Sequence, residues 1–420
     1  MYQEDKMPKH GGLDHTASVL KKGYHFISET ADQLDTDVFE TRLLGQRMYC
    51  MRGSEAAELF YDESKFQRAE AAPLPVRKTL FGEGGVQGLD DEEHRHRKAM
   101  FMQLREHVSE SRLRECFARH LRAAAVEWQA RDEIVLYEEI KLVLTRFVCE
   151  WVGVPLLEDE VETRTEQLAS LFELAGETNL KHFKAWRARS KAEEWLEELI
   201  SEAREQPAEA DPNSPFAIFC WHRSPNGELL DEHTAAVEVL NLLRPTVANA
   251  IWVVFAAKAI ADHPDHLEPI RQGEADACKH LSEEVRRFYP FFPFLAAKVR
   301  HNFMWKEYQF AEGTLTLLDI YGTHHSSREW KEPERFWPQR YKSETITPYN
   351  FIPQGGGSYH EAHRCAGEWV TRIVLEQSVD FLVNGLSYDL PKQDLSYSMT
   401  EIPSMPSSGI KMSQIRLKNP

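Results

Sequence analysis

Hydrophobic and polar positions follow a helical period over most of residues 54–262. Glu recurs with Lys and Arg at helical spacing over 182–204, and an acidic stretch predicts another helix start near Asp90. The longest predicted helix runs over 231–262. Its second half, VANAIWVVFAAKAIA, is apolar on nearly every side, so this helix is predicted to run through the interior of the protein.

Strand patterns are shorter and fewer than helical ones. Residues 36–52 mix β-branched and aromatic residues around a glycine, which is typical of a hairpin. Residues 295–320 alternate like short strands, 321–363 are rich in loop formers, and 383–418 predict strands and turns. The predicted fold is therefore mainly α with a smaller β region, in a single domain over 1–420.

Composition and charge exclude several classes of protein. Hydrophobic residues make up 42% of the chain and charged residues 28%, which is a globular composition and excludes a disordered chain. The 67 Asp and Glu outnumber the 50 Lys and Arg, for a formal net charge of −17 at pH 7. Such a surface repels phosphate backbones and anionic lipids, so neither nucleic acid nor a membrane is an expected partner.

The cysteines and the first residues of the chain both bear on where in the cell the protein is expected. The six cysteines are scattered without a CxxC pair, which is typical of reduced thiols. The start, MYQEDKMPKHGGLDHT, lacks the apolar core of a signal peptide. No window is expected to provide the roughly 18 apolar residues of a membrane span. We therefore expect a cytoplasmic protein.

Cys365 is the first candidate for chemistry. It follows three glycines in FIPQGGGSYHEAHRCAGEWV and stands at a predicted helix start. Backbone N–H groups and the helix dipole favour a thiolate there, as a nucleophile or a metal ligand, whereas an inert buried cysteine is the simpler alternative. A zinc site of His360, His363 and Cys365 is disfavoured, because the three are crowded on one short loop without an evident fourth ligand.

Two further motifs precede this cysteine. Glu284 and Arg287 in SEEVRRFYP share one face of a predicted helix, and FWPQRY carries Arg340. In this order, the three motifs resemble the cytochrome P450 superfamily. The resemblance implies the P450 fold, with haem b buried between the long central helix and the cysteine loop and Cys365 as the axial iron ligand. It also implies that Glu284, Arg287 and Arg340 form a structural network behind the haem.

The resemblance extends to one branch of the superfamily. The central helix reads NLLRPTVANA, with Arg244 and Pro245 where ordinary members carry an acid–alcohol pair, and a kink in the helix is expected at the proline. This departure resembles the fatty-acid peroxygenase branch, which includes hydroxylases and decarboxylases. The resemblance places His94, Lys98 and His363 near the haem propionates. Without it, HRHRK is typical of a solvated helix face.

Arg244 lies in an apolar helix and needs an anion, because a buried unpaired guanidinium costs several kcal/mol. Glu238 and Asp262 are not at helical spacing from it, which leaves either a salt bridge elsewhere in the fold or a substrate carboxylate. The second interpretation predicts hydrogen-peroxide-dependent hydroxylation of medium- to long-chain fatty acids at the α or β carbon. The carboxylate would act as acid and base, and no redox partner is expected.

Gln87 favours hydroxylation over decarboxylation to terminal alkenes, because glutamine does not titrate and is a poor proton donor. In the family, a histidine at this position goes with decarboxylation. Three aromatic residues, Phe81, Phe291 and Phe292, are expected to line an apolar channel for the tail, together with Leu80 and Phe294. Three alternatives stay open: a decarboxylase, a monooxygenase fed by a redox partner, and a haem sensor or fatty-acid carrier without turnover.

Overall fold

The computed structural model describes residues 7–175, 180–207, 211 and 214–418. Helices make up most of the secondary structure within these ranges. They are α1 (Thr16–Lys22), α2 (Phe26–Gln33), α3 (Ser54–Phe60), α4 (Leu74–Val76), α5 (Asp91–His107), α6 (Glu110–Trp128), α7 (Leu136–Val152), α8 (Val161–Glu173), α9 (Leu180–Glu205), α10 (Pro215–Cys220), α11 (Glu232–Asp262), α12 (Glu268–Arg271), α13 (Ala277–Phe288), α14 (Ile320–His324) and α15 (Glu368–Asp380).

Three small sheets flank the helices. Their strands are β1 (Val38–Leu43), β2 (Gln46–Met51), β3 (Phe66–Gln67), β4 (Glu133–Val135), β5 (Phe294–Val299), β6 (Phe303–Trp305), β7 (Tyr308–Phe310), β8 (Leu315–Asp319), β9 (Leu386–Asp389) and β10 (Lys411–Leu417). The largest sheet has the order β1-β2-β8-β5-β3, with β2 and β8 parallel and its other pairs antiparallel. A second sheet has the order β4-β10-β9, and β6 pairs with β7. The prediction of a mainly helical fold with a smaller β region is confirmed.

Local sequence signals account for several element boundaries. The hairpin predicted within 36–52 is the antiparallel pair β1–β2. Ser214 accepts a hydrogen bond from the Ala217 amide (3.2 Å) and caps α10, whose first residue is a proline. Asp231 caps α11 by accepting from the Thr234 amide at 2.8 Å. These caps satisfy backbone donors that the first helical turn leaves free.

The helix α11 is the centre of the fold. It contacts α7, α8, α9, α13 and α15, and its apolar side chains form the middle of the largest hydrophobic cluster. The helix is continuous from Glu232 to Asp262, so Pro245 does not end it, and the kink expected there stays a prediction. Packing on every side holds the helical backbone through the proline, although proline supplies no N–H to the preceding turn.

One expectation about membranes needs correction. Among the described residues, α11 is long and apolar enough to cross a membrane by length and composition alone. In the fold, however, 94% of its most apolar window is buried inside the protein. The apolar surface of α11 therefore contacts other helices, as a core helix does.

The segment 321–363 contains more structure than its loop-forming residues predicted. Residues 320–324 form α14, and Pro338–Lys342 form a 3₁₀ turn. His324, predicted to lie in a loop, is buried, and its Nε2 accepts a hydrogen bond from the Ile352 amide at 2.9 Å. This bond joins α14 to the segment that leads to Cys365, a long-range contact that local patterns do not encode.

Asp319 is a buried carboxyl at the end of β8 and is predicted to make stability depend on pH. Its Oδ1 accepts from the Gly322 amide at 2.7 Å, and burial raises its pKa to about 7. An unfolded aspartate titrates near 3.9, so the stabilisation from the neutral carboxyl is complete below about pH 4 and lost as the pH rises through 7. Asp319→Asn keeps the cap but cannot ionise. Its Tm should exceed that of the wild type at pH 8, and the difference should vanish near pH 4.

The shift of about 3 pH units sets an upper bound of about 4 kcal/mol for this effect. Thermal unfolding followed by circular dichroism from pH 4 to 8 measures it. Asp159→Asn, at an exposed position, is the control and should retain the wild-type pH profile. If the Tm of the wild type and the Tm of Asp319→Asn changed with pH in the same way, the prediction would be contradicted.

Candidate functional site

The site begins at Cys365, in the turn that leads into α15. The Cys365 amide donates to the Gln354 carbonyl at 3.0 Å, and Gln354 Nε2 lies 3.8 Å from the Cys365 sulfur. Gly355 has φ +93°, and a Cβ there would lie only 3.0 Å from the Tyr61 hydroxyl and 3.2 Å from the His363 carbonyl. The glycine thus lets two segments of the loop approach closely and holds the sulfur at the cavity wall.

A buried ion network lies directly behind the sulfur. Arg286 pairs with Glu283 at 2.5 Å and with Glu368 at 2.7 Å, and it donates to Gln354 at 2.9 Å. Arg364 pairs with Glu368 at 2.7 Å. Burial alone would raise the pKa of Glu368, but Arg286 and Arg364 outweigh it and lower that pKa to about 2. The charges therefore satisfy one another and fix the position of Gln354 beside the sulfur.

A second network contains the three residues predicted to act together. Arg287 binds Glu284 through two bonds, at 2.9 and 2.8 Å, and Arg340 lies 3.1 Å from the same carboxylate. The Trp337 amide also donates to Glu284, at 2.8 Å, and Arg287 donates to the His324 carbonyl at 2.7 Å. The side chains of Glu284, Arg287 and Arg340 are fully buried. The structure therefore brings the three together, as predicted, and links α13 to the loops around them.

The sulfur of Cys365 borders an apolar cavity. Its interior volume is about 290 Å³. A pocket for one small ligand usually measures about 300–1000 Å³, so this cavity lies near the lower end of the range for a ligand site. Its wall is mainly apolar and comes from α11, from the segment 80–101 and from the cysteine loop. The apolar wall includes Leu80, Phe81, Val86, Phe101, Phe172, Leu242, Ala248, Ile251, Trp252, Phe291, Phe292, Leu295, Ile320, Ile402 and Pro403.

Arg244 places a positive charge on this wall. It is 6% exposed, and Nη1 has no hydrogen-bond partner. No hydrogen bond or ion pair joins its guanidinium to any group in the described part of the chain. Burial, together with Arg189, lowers the Arg244 pKa to about 9. The salt bridge that we considered as an alternative is thus not formed, and a guanidinium in this position strongly favours an anion in the cavity.

Gln87 lines the same cavity as Arg244 and belongs to a chain of polar side chains. Its Oε1 accepts from Asn241 Nδ2 at 3.1 Å, and Asn241 also donates to Glu238 at 3.1 Å. Glu238 is fully buried and pairs with Arg97 at 2.8 Å, so it is not available to Arg244. The chain orients the Gln87 amide, while Asn241 Oδ1 remains without a partner.

Arg189 anchors the segment that carries Phe81. Its guanidinium donates to the carbonyls of Thr79 (3.1 Å), Leu80 (3.1 Å) and Phe81 (3.4 Å) from the buried face of α9. Gly82 follows with φ +86°, and a Cβ there would lie 2.1 Å from Arg189 Nη2. The arginine and the glycine together set where the Phe81 ring enters the cavity.

Three basic side chains, His94, Lys98 and His363, also line the cavity. The rings of His94 and His363 stack with centroids 3.7 Å apart, and Lys98 donates to the carbonyls of Ala362 and Arg364. Burial lowers the pKa of His94 to about 3, of His363 to about 4 and of Lys98 to about 8. The predicted solvated helix face is therefore wrong for His94 and Lys98, which are buried.

These features fit a large anionic cofactor with a metal. Lys98 and the ring N–H groups of His94 and His363 are hydrogen-bond donors on the cavity wall, which suits a ligand with carboxylates. Burial raises the pKa of the Cys365 thiol, and Glu368 adds to that effect, so a thiolate here needs a cation. A metal bound to the sulfur supplies that cation, because a coordinating thiol loses its proton.

Comparisons with known proteins identify the family. A model of the family described as cytochrome P450 matches residues 279–406. Cytochrome P450EX alpha (CYP152N1), solved with myristic acid, is 44% identical, with a TM-score of 0.94 over 99% of this chain and 100% of that chain. The chain belongs to the cytochrome P450 superfamily, in its fatty-acid peroxygenase and decarboxylase branch. This P450 therefore has the fold that its motifs predicted.

Other relatives agree. Cytochrome P450SP alpha (CYP152B1), solved with (R)-ibuprophen, is 39% identical, with a TM-score of 0.93 over 97% of this P450 and 100% of that chain. A variant of cytochrome P450 OleT solved with arachidonic acid is 31% identical, with a TM-score of 0.95 over 99% of both chains. Cytochrome P450 family 716 subfamily AD polypeptide 4 of Melia azedarach is 19% identical over 422 residues, 91% of this P450 and 85% of its own length. Membership implies haem iron as cofactor and oxidoreductase chemistry.

The structure gathers most of the predicted site residues in one cavity. Glu284, Arg287 and Arg340 form their own network outside this cavity, and Phe294 packs against the hydrophobic cluster between β1, β2 and α2. Zinc ligation by His360, His363 and Cys365 gains no support, because the one metal-ligand cluster within the described residues lies elsewhere. Sequence reasoning missed Arg189, Asn241 and Arg286, among others. For Arg286 the sequence contains one signal, because this residue directly precedes the predicted Arg287 in EEVRR.

Proposed function

We propose that this P450 hydroxylates medium- to long-chain fatty acids at the α or β carbon, with hydrogen peroxide as the oxidant. The observation that carries the proposal is the unpartnered guanidinium of Arg244 in the same apolar cavity as Cys365. A fatty-acid carboxylate provides the missing anion, and arginine binds carboxylates through two parallel hydrogen bonds. The apolar wall accommodates the alkyl tail.

Each group has a role in this proposal. Cys365 would bind the iron of haem b through its sulfur, and His94, Lys98 and His363 would hold the propionates. Bound haem supplies the oxygen-transfer chemistry that amino-acid side chains lack. The Glu284 network is structural. The whole chain, 1–420, acts as a single domain in the cytoplasm, with no membrane, nucleic acid or redox partner required.

Arg244 also determines where the substrate reacts. Anchoring the carboxylate at one end of the cavity fixes which carbon faces the reacting centre, so Cα or Cβ is hydroxylated. The same carboxylate accepts a proton from hydrogen peroxide and returns it to the oxygen that leaves as water. The other oxygen enters the C–H bond, so the reaction is balanced without an electron donor. Gln87 cannot titrate, and this favours the hydroxy acid as the product.

Product analysis tests the proposal. The holoenzyme is incubated with hydrogen peroxide and saturated fatty acids of increasing length, without a reductase, and the products are separated by gas chromatography. We expect 2- and 3-hydroxy acids. Mainly 1-alkenes would identify a decarboxylase, and turnover only with an electron-transfer partner would identify a monooxygenase. Fatty-acid binding without any product would identify a carrier or sensor.

Arg189 is expected to control the product ratio as a positioning residue. Arg189→Lys keeps the charge but cannot reach all three carbonyls that hold the Phe81 segment. The freed segment should raise KM several-fold and change the ratio of 2- to 3-hydroxy acids, with haem content unchanged. Gas chromatography and steady-state kinetics measure both effects. Arg187→Lys, exposed on the same helix, should match the wild type, whereas a wild-type ratio in Arg189→Lys would refute this role.

A further inference from the structure

A second group of metal-binding side chains lies between α6 and α7. Cys116 and His120 are four residues apart on α6, so they share one face, and Glu150 meets them from the end of α7. The Cys116 sulfur, a ring nitrogen of His120 and a carboxylate oxygen of Glu150 all lie within 4.8 Å of one another. None of the three lines the cavity of Cys365.

The three groups already interact without a metal. His120 Nε2 lies 2.8 Å from Glu150 Oε2, and Arg119 donates to both oxygens of the same carboxylate. This contact with Arg119 lowers the pKa of Glu150 to about 2, while burial raises that of the Cys116 thiol to about 12. Burial also lowers the pKa of His120, which favours the neutral imidazole that metals bind.

The cluster can be reached from solvent. The side chain of Glu150 is 45% exposed, and that of His120 is 16% exposed. Cys116 lies beneath them and is 8% exposed. A metal ion therefore meets the carboxylate first and the sulfur last, without any rearrangement of the helices.

We propose that Cys116, His120 and Glu150 bind a zinc ion, with water as the fourth ligand. One sulfur, one imidazole nitrogen and one carboxylate oxygen are ligands that zinc accepts in tetrahedral geometry. Two ligands four residues apart on a helix are a common way to hold this ion. Zinc replaces the hydrogen bond between His120 and Glu150, and the thiol proton is released to solvent. Arg119 can stay on the other carboxylate oxygen and orient it.

Small side-chain rotations suffice to close the site. Zinc lies about 2.3 Å from sulfur and about 2.0–2.2 Å from nitrogen and oxygen, so ligands in a tetrahedron are about 3.5 Å apart. The ligand atoms lie within 4.8 Å of one another, so no pair has to approach by more than about 1.3 Å. The pair of His120 Nε2 and Glu150 Oε2, now 2.8 Å apart, has to separate by about 0.7 Å. The backbones of α6 and α7 already face each other along their length, and they need not move.

Zinc K-edge X-ray absorption on the holoenzyme tests the site, because the signal is specific to zinc even with haem iron present. The protein is loaded with zinc sulfate and dialysed, and bound zinc is counted by mass spectrometry. We expect one equivalent per chain, with one sulfur near 2.3 Å and nitrogen or oxygen near 2.0 Å. Cys116→Ser and His120→Gln should each lower the bound zinc from one equivalent to none.

Cys278→Ser is the matched control, since it removes another partly buried thiol outside the cluster. This variant should still bind one equivalent of zinc. Haem absorbance and Tm of every variant confirm that it is folded. If the wild type bound less than half an equivalent of zinc, the proposal would be overturned. The three side chains would then form only an ion-pair cluster. A zinc site without sulfur, or one that survives in folded Cys116→Ser, would overturn it as well.

Discussion

Arg244→Ala is expected to lower kcat/KM for peroxide-driven fatty-acid oxidation by at least about 100-fold, with haem content unchanged. Removing one partner of a buried, hydrogen-bonded charge pair costs about 2–5 kcal/mol, and 1.36 kcal/mol corresponds to a factor of ten. A loss of about 3 kcal/mol thus gives the stated factor. Because Arg244 has no partner among the described protein groups, its removal leaves no protein charge uncompensated, and the protein should stay folded.

Steady-state kinetics with hydrogen peroxide and a C14 fatty acid, together with the haem absorption spectrum, measure this effect. Arg244→Lys keeps a positive charge but loses the two-bond geometry, so its activity should lie between those of the wild type and Arg244→Ala. Arg146→Ala, which removes a surface ion pair with Glu158, is the control and should match the wild type. If Arg244→Ala retained a third of the wild-type kcat/KM, the substrate would not need this anchor.

Glu284→Gln is expected to have the largest effect on stability. Its carboxylate is the common partner of Arg287 and Arg340, and all three side chains are fully buried. Breaking such a pair costs about 3–5 kcal/mol, because an uncompensated charge stays in the interior. The whole domain is stabilised by only about 5–15 kcal/mol, so we expect little folded, haem-containing protein.

The yield of protein with haem absorbance and the Tm of the purified fraction measure this loss. Glu332→Gln makes the same change in an exposed pair with Arg335 and should alter the free energy of unfolding by no more than about 0.5 kcal/mol. A Tm of Glu284→Gln within 2 °C of the control would mean that the buried network contributes little.

Elements with strong local signals could be predicted from the sequence. The hairpin of β1 and β2 follows from β-branched residues around a glycine, and α11 from its long apolar stretch. The pairing of β2 with β8 could not be predicted, because it joins distant segments in parallel register and no local pattern encodes it. The helix over 231–262 was predicted as one element, and it continues through Pro245 because packing from other helices overrides the local preference of proline.

The residues of the candidate site also differ in whether the sequence reveals them. Cys365, Arg244 and Glu284 stand out in the sequence because a glycine-rich loop, an apolar helix and a short motif surround them. Arg286 and Arg189 are as deeply buried, but their neighbours in sequence are charged, as on a solvated helix. Only the fold brings Arg286 to Glu368 and Arg189 to the carbonyls that precede Gly82. Glu368 and these carbonyls are distant along the chain from the arginines that they bind, which is why sequence patterns do not reveal the contacts.

The central claim is that the substrate carboxylate is the anion that Arg244 lacks. Peroxide-driven oxidation of a C14 fatty acid and of its methyl ester by the wild-type holoenzyme tests this claim most directly, because the two substrates share the tail and differ in the charge. We predict rapid hydroxylation of the acid near the carboxylate and at least about 100-fold slower oxidation of the ester. Equal rates for acid and ester, at the same carbons, would contradict it.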